Sequence, residues 1–341
     1  MEKPVDVIDA ADPEAGPVTL FAGAGAGTDA LSVSRYRESR ERARDYASEA
    51  TAANTRRAYR ADWRHFTTWC AGRHLTPLPA TSETVAVYLA DLAGHYKTAT
   101  ITRRLSAIAQ AHKTAGFASP TTDPAVRQVA AGIRRRHGTR QQGKEAAVTA
   151  DLRAMVGTLD DSLPGRRDRA LLLLGFAGAF RRSELVALNV SDVNRTRDGL
   201  VVIVRRGKTD QEGAGRQIGI PYGSTPLTCP VRALGDWLDA ARITDGPLFH
   251  PIDRHGNLQP RRLTDQSVAL VVKRAAQAAG LDPTLYAGHS LRAGLATAAA
   301  QAGVSERAIM EQTGHKSLPI VRRYIRRGSL FTENAAAKVG L

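Results

Sequence analysis

Residues 313–328 read TGHKSLPIVRRYIRRG: His315 stands nine residues ahead of Tyr324, and Arg322, Arg323, Arg326 and Arg327 flank that tyrosine. A phenol can attack a phosphodiester if fixed cations stabilise the charge growing on the phosphoryl oxygens, and arginine does this with a planar fork that spans two oxygens. A tyrosine in a basic helix taken alone more often packs than reacts, so the stretch needs partners elsewhere in the chain. Upstream, GHSLRAG at 288–294 sets His289 and Arg292 one helical turn apart. Both can reach one phosphate from a helix N-terminus, whose amides also favour anions. Further back, GAFRRSELVALNVSDV at 178–193 places Arg181 at the end of an apolar helix with Glu184 three residues on. That spacing puts the pair on one helical face, where the carboxylate can orient the guanidinium. The same pair also reads as a surface ion pair, and Arg182 is a rival for the arginine role. Together these landmarks point to DNA breakage and rejoining, with no metal-ligand set beside them.

Composition agrees with a nucleic-acid partner. The chain has 341 residues, more than one core usually organises, so two domains are expected. Its formal charge of +15 is uneven: the first 30 residues carry six acidic side chains against one lysine, so the remainder carries +20. A basic body suits a polyanion, since each neutralised phosphate releases counterions. A membrane surface would call instead for a concentrated basic amphipathic helix with exposed aromatics. The longest apolar stretch, Ala170 to Phe180, is far short of the ~20 residues that span a bilayer. The N-terminus also lacks the positive region of a signal peptide, so a cytoplasmic protein is expected. Cys70 and Cys229, the only cysteines, suffice for neither a disulfide framework nor a four-cysteine zinc site and read as small buried hydrophobes.

Residues 1–42 mix Gly, Ala, Pro and acids, as in FAGAGAGTDA, and are expected to form a disordered tail. From Thr55, Tyr59, Trp63, Phe66 and Cys70 fall on one helical face and Arg57, Arg60 and Arg64 on another, with Asn54 as a possible N-cap. Further helices are predicted over Val85–Leu92, over Thr100–Thr114, with Ile101, Leu105 and Ile108 as its stripe, and over Ala125–Arg136. Arg57, Arg60, Arg103 and Arg104 are candidate contacts to DNA, or simply solvated charges. The helical domain thus spans 43–137, and GTRQQGKEAA at 138–147 reads as an interdomain linker. The second domain, 148–341, opens with an apolar helix predicted over Arg166–Phe180. Strands follow at Leu200–Val204 and Gln217–Ile220 around RRGKTDQEGAGR, a long hairpin loop. The rest returns to helices, with caps expected at Thr264, Ser290 and Ser305. The fold class is mainly α with a small antiparallel β-sheet in the second domain.

The ordered set Arg-x-x-Glu, hairpin lysine, His-x-x-Arg, Gly-His and Tyr, spread over nearly all of 148–341, resembles the tyrosine recombinase (phage integrase) family. The helical N-terminal domain and the length are similar to its Cre-like members, although His315 departs from the tryptophan of Cre itself; histidine is the commoner family choice. The resemblance implies a two-domain DNA clamp in which Tyr324 forms a 3′-phosphotyrosyl bond. It implies that Arg181, Arg292 and His315 stabilise the transition state, each donor contributing on the order of ~3 kcal/mol. His289 would position or deprotonate the tyrosine, Glu184 would support Arg181, and Lys208 in GKTD would protonate the leaving oxygen. No ATP, metal or other cofactor is implied. The implied partners are double-stranded DNA recombination sites and a homotetramer spanning two of them through a Holliday junction, the free protein being a monomer or weak oligomer. The tail GSLFTENAAAKVGL cannot bury Leu330, Phe331 and Val339 unaided. The family resemblance makes residues 329–341 a helix exchanged between protomers, while docking on its own domain is the plainer reading.

Two other classes stay open on sequence. A catalytically silent DNA-binding or architectural protein of the same fold needs only the charge and the helices. A topoisomerase-like enzyme uses the same covalent step without a partner site. A metal-dependent nuclease is disfavoured because the carboxylates are scattered.

Overall fold

Trp63, Phe66 and Cys70, read as one face of a helix, are buried together with Val85, Tyr88, Leu89, Ile101, Ile108, Val126 and Ile133. They form the core of the first of two units, into which the chain divides between Gln141 and Gln142. The computed structural model describes residues 30–49, 52–139, 143–205, 207 and 215–328.

In the first unit the described residues form α1 (Ala30–Glu49), α2 (Ala53–Ala71), α3 (Ser82–Leu92), α4 (Thr98–Thr114) and α5 (Pro124–His137). α2 packs on α4, and α3 on α5. Local chemistry sets the boundaries. The Thr81 hydroxyl accepts from Thr84 N at 3.1 Å to start α3, and Asp123 Oδ1 accepts from Ala125 N at 2.8 Å ahead of Pro124 to start α5. Caps of this kind contribute about 1 kcal/mol each.

Three expectations for this unit need correction. Residues 30–42, expected in the tail, lie in α1. This helix has no apolar stripe to announce it, but opposite charges recur four apart, as in Arg37/Glu41 and Glu38/Arg42, which suits an exposed helix. Residues 1–29 of that tail lie outside the described residues. Asn54 is not the N-cap of α2: the Ala52 carbonyl already accepts from Thr55 N and Arg56 N, so the helix begins before Asn54. Arg103 and Arg104 are not free cations. Both Arg103 Nε and Nη2 donate to the buried Asp62 carboxylate, at 2.7 and 2.9 Å. Arg104 is itself buried, with its guanidinium 4.0 Å over the Tyr96 ring.

The second unit holds α6 (Thr149–Gly157), α7 (Leu163–Ala177), α8 (Arg182–Ala187), β1 (Val193–Thr196), β2 (Gly199–Val204), β3 (Arg216–Pro221), α9 (Pro230–Ala241), α10 (Asp265–Ala278), α11 (His289–Gln301), α12 (Glu306–Thr313) and α13 (Leu318–Gly328). From Ala170 onward α7 is apolar all round, as the buried part of a central helix must be, and it packs against α9 and α11. Ser162 caps it, accepting from Gly165 N at 3.2 Å. It ends at Ala177, short of the expected Phe180, because Gly178 closes it and Ala179 takes φ 47°. The antiparallel sheet has order β1-β2-β3, with Val193 opposite Val202 and Val202 opposite Ile218. Leu200, Val202, Val204, Ile218 and Ile220 face the core, at the period-2 spacing of a half-covered sheet. β1 was not expected: its four residues, VNRT, carry no apolar alternation and become a strand by pairing with β2.

The second half of the expected linker belongs to this unit. Glu145 N donates to the Leu285 carbonyl at 2.8 Å, Ala147 N to that of Ser290 at 3.0 Å, and Ala147 is fully buried. α11 crosses so closely that a Cβ on Gly294 would lie 1.9 Å from the Ala147 carbonyl oxygen. Thr264 and Ser305 cap α10 and α12 as expected. Ser290 does not cap α11; Gly288 is already helical at φ −57°, ψ −22°, and the Ser290 hydroxyl accepts from Ala287 N instead. Among the described residues, no helix is long and apolar enough to cross a membrane.

Candidate active site

α11 carries His289 and Arg292 on its first turn, one reaching solvent and the other entirely buried. Arg292 Nη1 donates at 2.7 Å to the carbonyl of Ala179, the residue whose positive φ ends the α7 segment. Its Nε and Nη2 are buried without a hydrogen-bond partner among the described residues. Burial, reinforced by the charge of Arg181, pulls its pKa down to about 10, so it stays a cation at neutral pH. A buried guanidinium with two open donors is costly unless an anion meets them.

Arg181 and Glu184 do come together, but not across one helical face. Arg181 is the N-cap residue of α8 and Glu184 lies at its third position, so the buried carboxylate reaches back to Arg181 N at 3.0 Å and also accepts from Arg181 Nη1. It takes a third donor that sequence reading missed, Arg216 Nη2 at 3.1 Å. Arg216 opens β3 and donates through Nη1 to the Gln312 carbonyl at 3.0 Å. Gln312 Nε2 in turn donates to the carbonyls of Ala177 and Gly219. Burial lowers the Arg216 pKa, and the Glu184 charge opposes that shift. One carboxylate therefore fixes two guanidinium groups, and one of these, Arg216, ties β3 to the end of α12.

Gly314 follows Gln312 and Thr313 at φ 63°, a left-handed turn that ends α12, and a Cβ there would sit 2.9 Å from the Arg216 guanidinium. The turn delivers His315, whose Nδ1 is 2.8 Å from the Thr313 hydroxyl. α13 then returns over α11 and α12, with Val321 buried against Ala296 and Ile309 and Tyr324 packed beside them. The Tyr324 hydroxyl lies 2.8 Å from His289 Nε2, and its ring centroid is 5.8 Å from that of His315. Partial desolvation of the ring by the protein around it, then the Arg292 and Arg181 charges, hold the His289 pKa below the ordinary histidine value. Burial and the same two arginines push His315 further, to about 3, with smaller contributions from His289 and Arg216. Both rings are neutral at neutral pH.

The structure thus gathers Arg181, Glu184, His289, Arg292, His315 and Tyr324 into one site. Lys208 lies outside the described residues, as does the exchange segment 329–341. Arg57, Arg60, Arg103 and Arg104 belong to the other unit. Arg57 is exposed, and Arg60 is half-buried and engaged by its neighbours.

A sequence profile of the phage integrase family matches residues 148–329. The chain belongs to the phage integrase family of tyrosine recombinases. The family's N-terminal SAM-like domain matches residues 44–115. An integrase/recombinase xerD homologue of Selenomonas ruminantium is 46% identical over 84% of this chain and 85% of its own length. The recombinase cre of Escherichia phage P1 is 27% identical over 77% of this chain and 81% of its own. Among solved structures, the XerH site-specific recombinase bound to a palindromic difH substrate covers 87% of this chain and 83% of its own, with TM-score 0.63 at 16% identity. A lambda integrase dimer bound to a COC′ core site covers 90% and 83%, with TM-score 0.56 at 18% identity. At those identities the likeness is one of fold, a mainly helical recombinase with a small antiparallel sheet.

Within this tyrosine recombinase the residues that sequence reading missed are Arg216, Gln312 and Thr313, while Gly314 entered it only as part of the Gly-His pair. Arg216 stood in view as the last residue of RRGKTDQEGAGR, immediately after a glycine and ahead of the apolar strand, the only available signal.

Proposed function

We propose that this chain is a site-specific DNA recombinase in which Tyr324 is the nucleophile. The Tyr324 oxygen attacks the scissile phosphorus, the bond from phosphorus to the 5′ oxygen breaks, and a 3′-phosphotyrosyl link and a free 5′ hydroxyl result. The phenolic proton passes to His289 Nε2, which is neutral and within hydrogen-bond reach. Arg292 offers its two open donors to the phosphoryl oxygens, with Arg181 held alongside by Glu184. Lys208 supplies the proton to the leaving oxygen. Because the phosphotyrosyl bond keeps the energy of the phosphodiester, the 5′ hydroxyl of another strand can reverse the step without ATP.

The observation that carries this reading is the 2.8 Å contact of Tyr324 with His289 beside a buried arginine whose open donors call for an anion. DNA-bound relatives support a DNA site as the partner. Exchange between two duplexes through a Holliday junction requires four such chains on two sites, and segment 329–341 bridges neighbouring protomers. The helical unit adds phosphate contacts, Arg57 among them. The xerD homologue from a bacterium supports a cytoplasmic, chromosomal or mobile-element role.

Covalent trapping tests the reading. Purified protein in EDTA is incubated with nicked duplexes from the DNA flanking its gene, and wild type is compared with Tyr324→Phe on denaturing gels. The expected result is a protein–DNA adduct with wild type alone. Binding by both proteins with no adduct would favour a silent DNA-binding protein, and an adduct surviving in Tyr324→Phe would mean a different nucleophile.

A further inference from the structure

α12 ends on Thr313, which is fully buried. Its hydroxyl oxygen lies 2.6 Å from the Ile309 carbonyl, 3.5 Å from that of Met310 and 2.8 Å from His315 Nδ1. A hydroxyl has one proton to give, and a carbonyl only accepts. Two oxygens 2.6 Å apart require that proton between them, so it goes to Ile309. The Met310 carbonyl already accepts from Gly314 N at 2.7 Å. In its contact with Thr313, His315 Nδ1 must then be the donor. A neutral imidazole has one N–H, and with Nδ1 protonated the remaining nitrogen, Nε2, is bare.

We propose that Thr313 is a positioning residue that fixes the His315 proton on Nδ1, so that His315 gains an N–H toward a phosphoryl oxygen only by taking up a second proton together with the anion. The inference rests on the reading of this pocket as a phosphate site. The groups around His315 are Arg292 and His289 from α11, Arg181 ahead of α8, Arg216 from β3 and Tyr324 from α13, with Glu184 of α8 paired to Arg181 and Arg216. The cations keep the free ring neutral, and an arriving phosphate offsets them and raises the ring's proton affinity. The proton comes from solvent and adds to Nε2, and no bond of the anion is altered. By reciprocity, a site that takes up a proton on binding an anion binds that anion less tightly as pH rises.

The test uses the full chain labelled with 15N, and sulfate as the probe because its charge is constant between about pH 5 and about pH 8. The His315 ring signals, assigned through their loss in His315→Gln, report the tautomer. Without sulfate, wild type is expected to show a protonated Nδ1 and a bare Nε2; with sulfate, an imidazolium. The sulfate affinity is expected to fall toward about tenfold per pH unit on raising pH. Thr313→Val keeps the shape and removes the hydroxyl, so the ring is expected to carry its proton on Nε2 and the affinity to lose its pH slope. Thr313→Ser is expected to behave as wild type. An Nε2–H ring in sulfate-free wild type, or an unchanged slope in Thr313→Val, overturns the proposal. Sulfate binding that leaves His315 neutral overturns the proton coupling while the phosphate pocket stands, whereas no sulfate effect up to saturating salt overturns both.

Discussion

His289 and His315 face the same arginines and are both kept neutral, but they hold on to that state for different uses. His289 Nε2 lies against the Tyr324 hydroxyl, while His315 Nδ1 is bonded to Thr313. Keeping His315 neutral has a thermodynamic signature. Its pKa is about 3 in the fold, against about 6.5 in an unfolded chain. Between those values the unfolded state binds one more proton than the folded state. Stability is therefore lost as pH falls from about 6.5, by up to about 1.4 kcal/mol per pH unit for this group. Urea unfolding from about pH 6.5 down to about pH 4.5 should show His315→Gln losing less stability than wild type; equal losses would mean the folded ring titrates normally. Arg292 gives a second prediction. Arg292→Lys keeps a cation but loses the fork, and should slow adduct formation about 10²–10³-fold with DNA binding, read by gel shift, nearly unchanged. Comparable loss of both would make Arg292 a binding residue only. His289, Arg292, His315 and Tyr324 were legible because their chemistry is concentrated at short spacings. Arg216 was not, since its partners Glu184 and Gln312 lie 32 and 96 residues away, a relation that exists only once β3 meets α8 and α12.

The elements that hold these side chains meet at two joints. The first is the start of α8, where the Glu184 carboxylate accepts from Arg181 and Arg216. Glu184→Gln keeps the shape, replaces one oxygen with a donor and removes the charge that holds both guanidinium groups. Since a misplacement of about 1 Å can cost about 10²-fold in rate, adduct formation should fall by about that factor in single-turnover trapping. A rate within threefold of wild type would show that other contacts hold the arginines. The second joint is the turn at Gly314 between α12 and α13. In Gly314→Ala the left-handed φ costs roughly 1–2 kcal/mol, and the new methyl meets the Arg216 guanidinium. The variant should unfold at lower temperature by calorimetry and form adduct more slowly than Arg216→Lys; a variant as stable and active as wild type would remove the turn from the site's architecture. Of the first joint only the Arg181–Glu184 pair was legible, from its spacing, and of the second only the Gly-His pair; the Arg216 contacts at both were not. Long amphipathic helices such as α2 and α4 declared themselves, because one face of each carries a repeated run of core residues, Trp63, Phe66 and Cys70 on α2 and Ile101, Ile108 and Ala111 on α4. β1, the early end of α7 and the docking of Glu145 and Ala147 depend on what those short segments pair with.

At the scale of the whole molecule, each unit has apolar packing of its own. The first unit is built on residues between Trp63 and Ile133; the second on a main cluster between Ala147 and Leu291 and a smaller one of Ala296, Ile309 and Val321. Units that each hold a core of their own can unfold as separate cooperative transitions. Calorimetry of the full chain should therefore resolve two transitions. Each unit carries its own reporter mutation. Phe66 is fully buried in the first core, among Trp63, Trp69 and Tyr88. Phe66→Ala should cost about 3–5 kcal/mol and lower one transition only. Trp237 is fully buried in the second, with its indole N–H on the Leu248 carbonyl at 2.8 Å, so Trp237→Phe, which strands that carbonyl, should lower the other. The active-site variants provide the cross-check. His315, Glu184 and Arg292 lie wholly in the second unit, so DNA added to wild type should raise the second transition through these residues, and the first through the basic helical unit. A single transition that moves as one with either core mutation would mean that the two units fold as one body, and the proposed division of labour, DNA contact by the helical unit and catalysis by the other, would then have to be sought in kinetics rather than in stability.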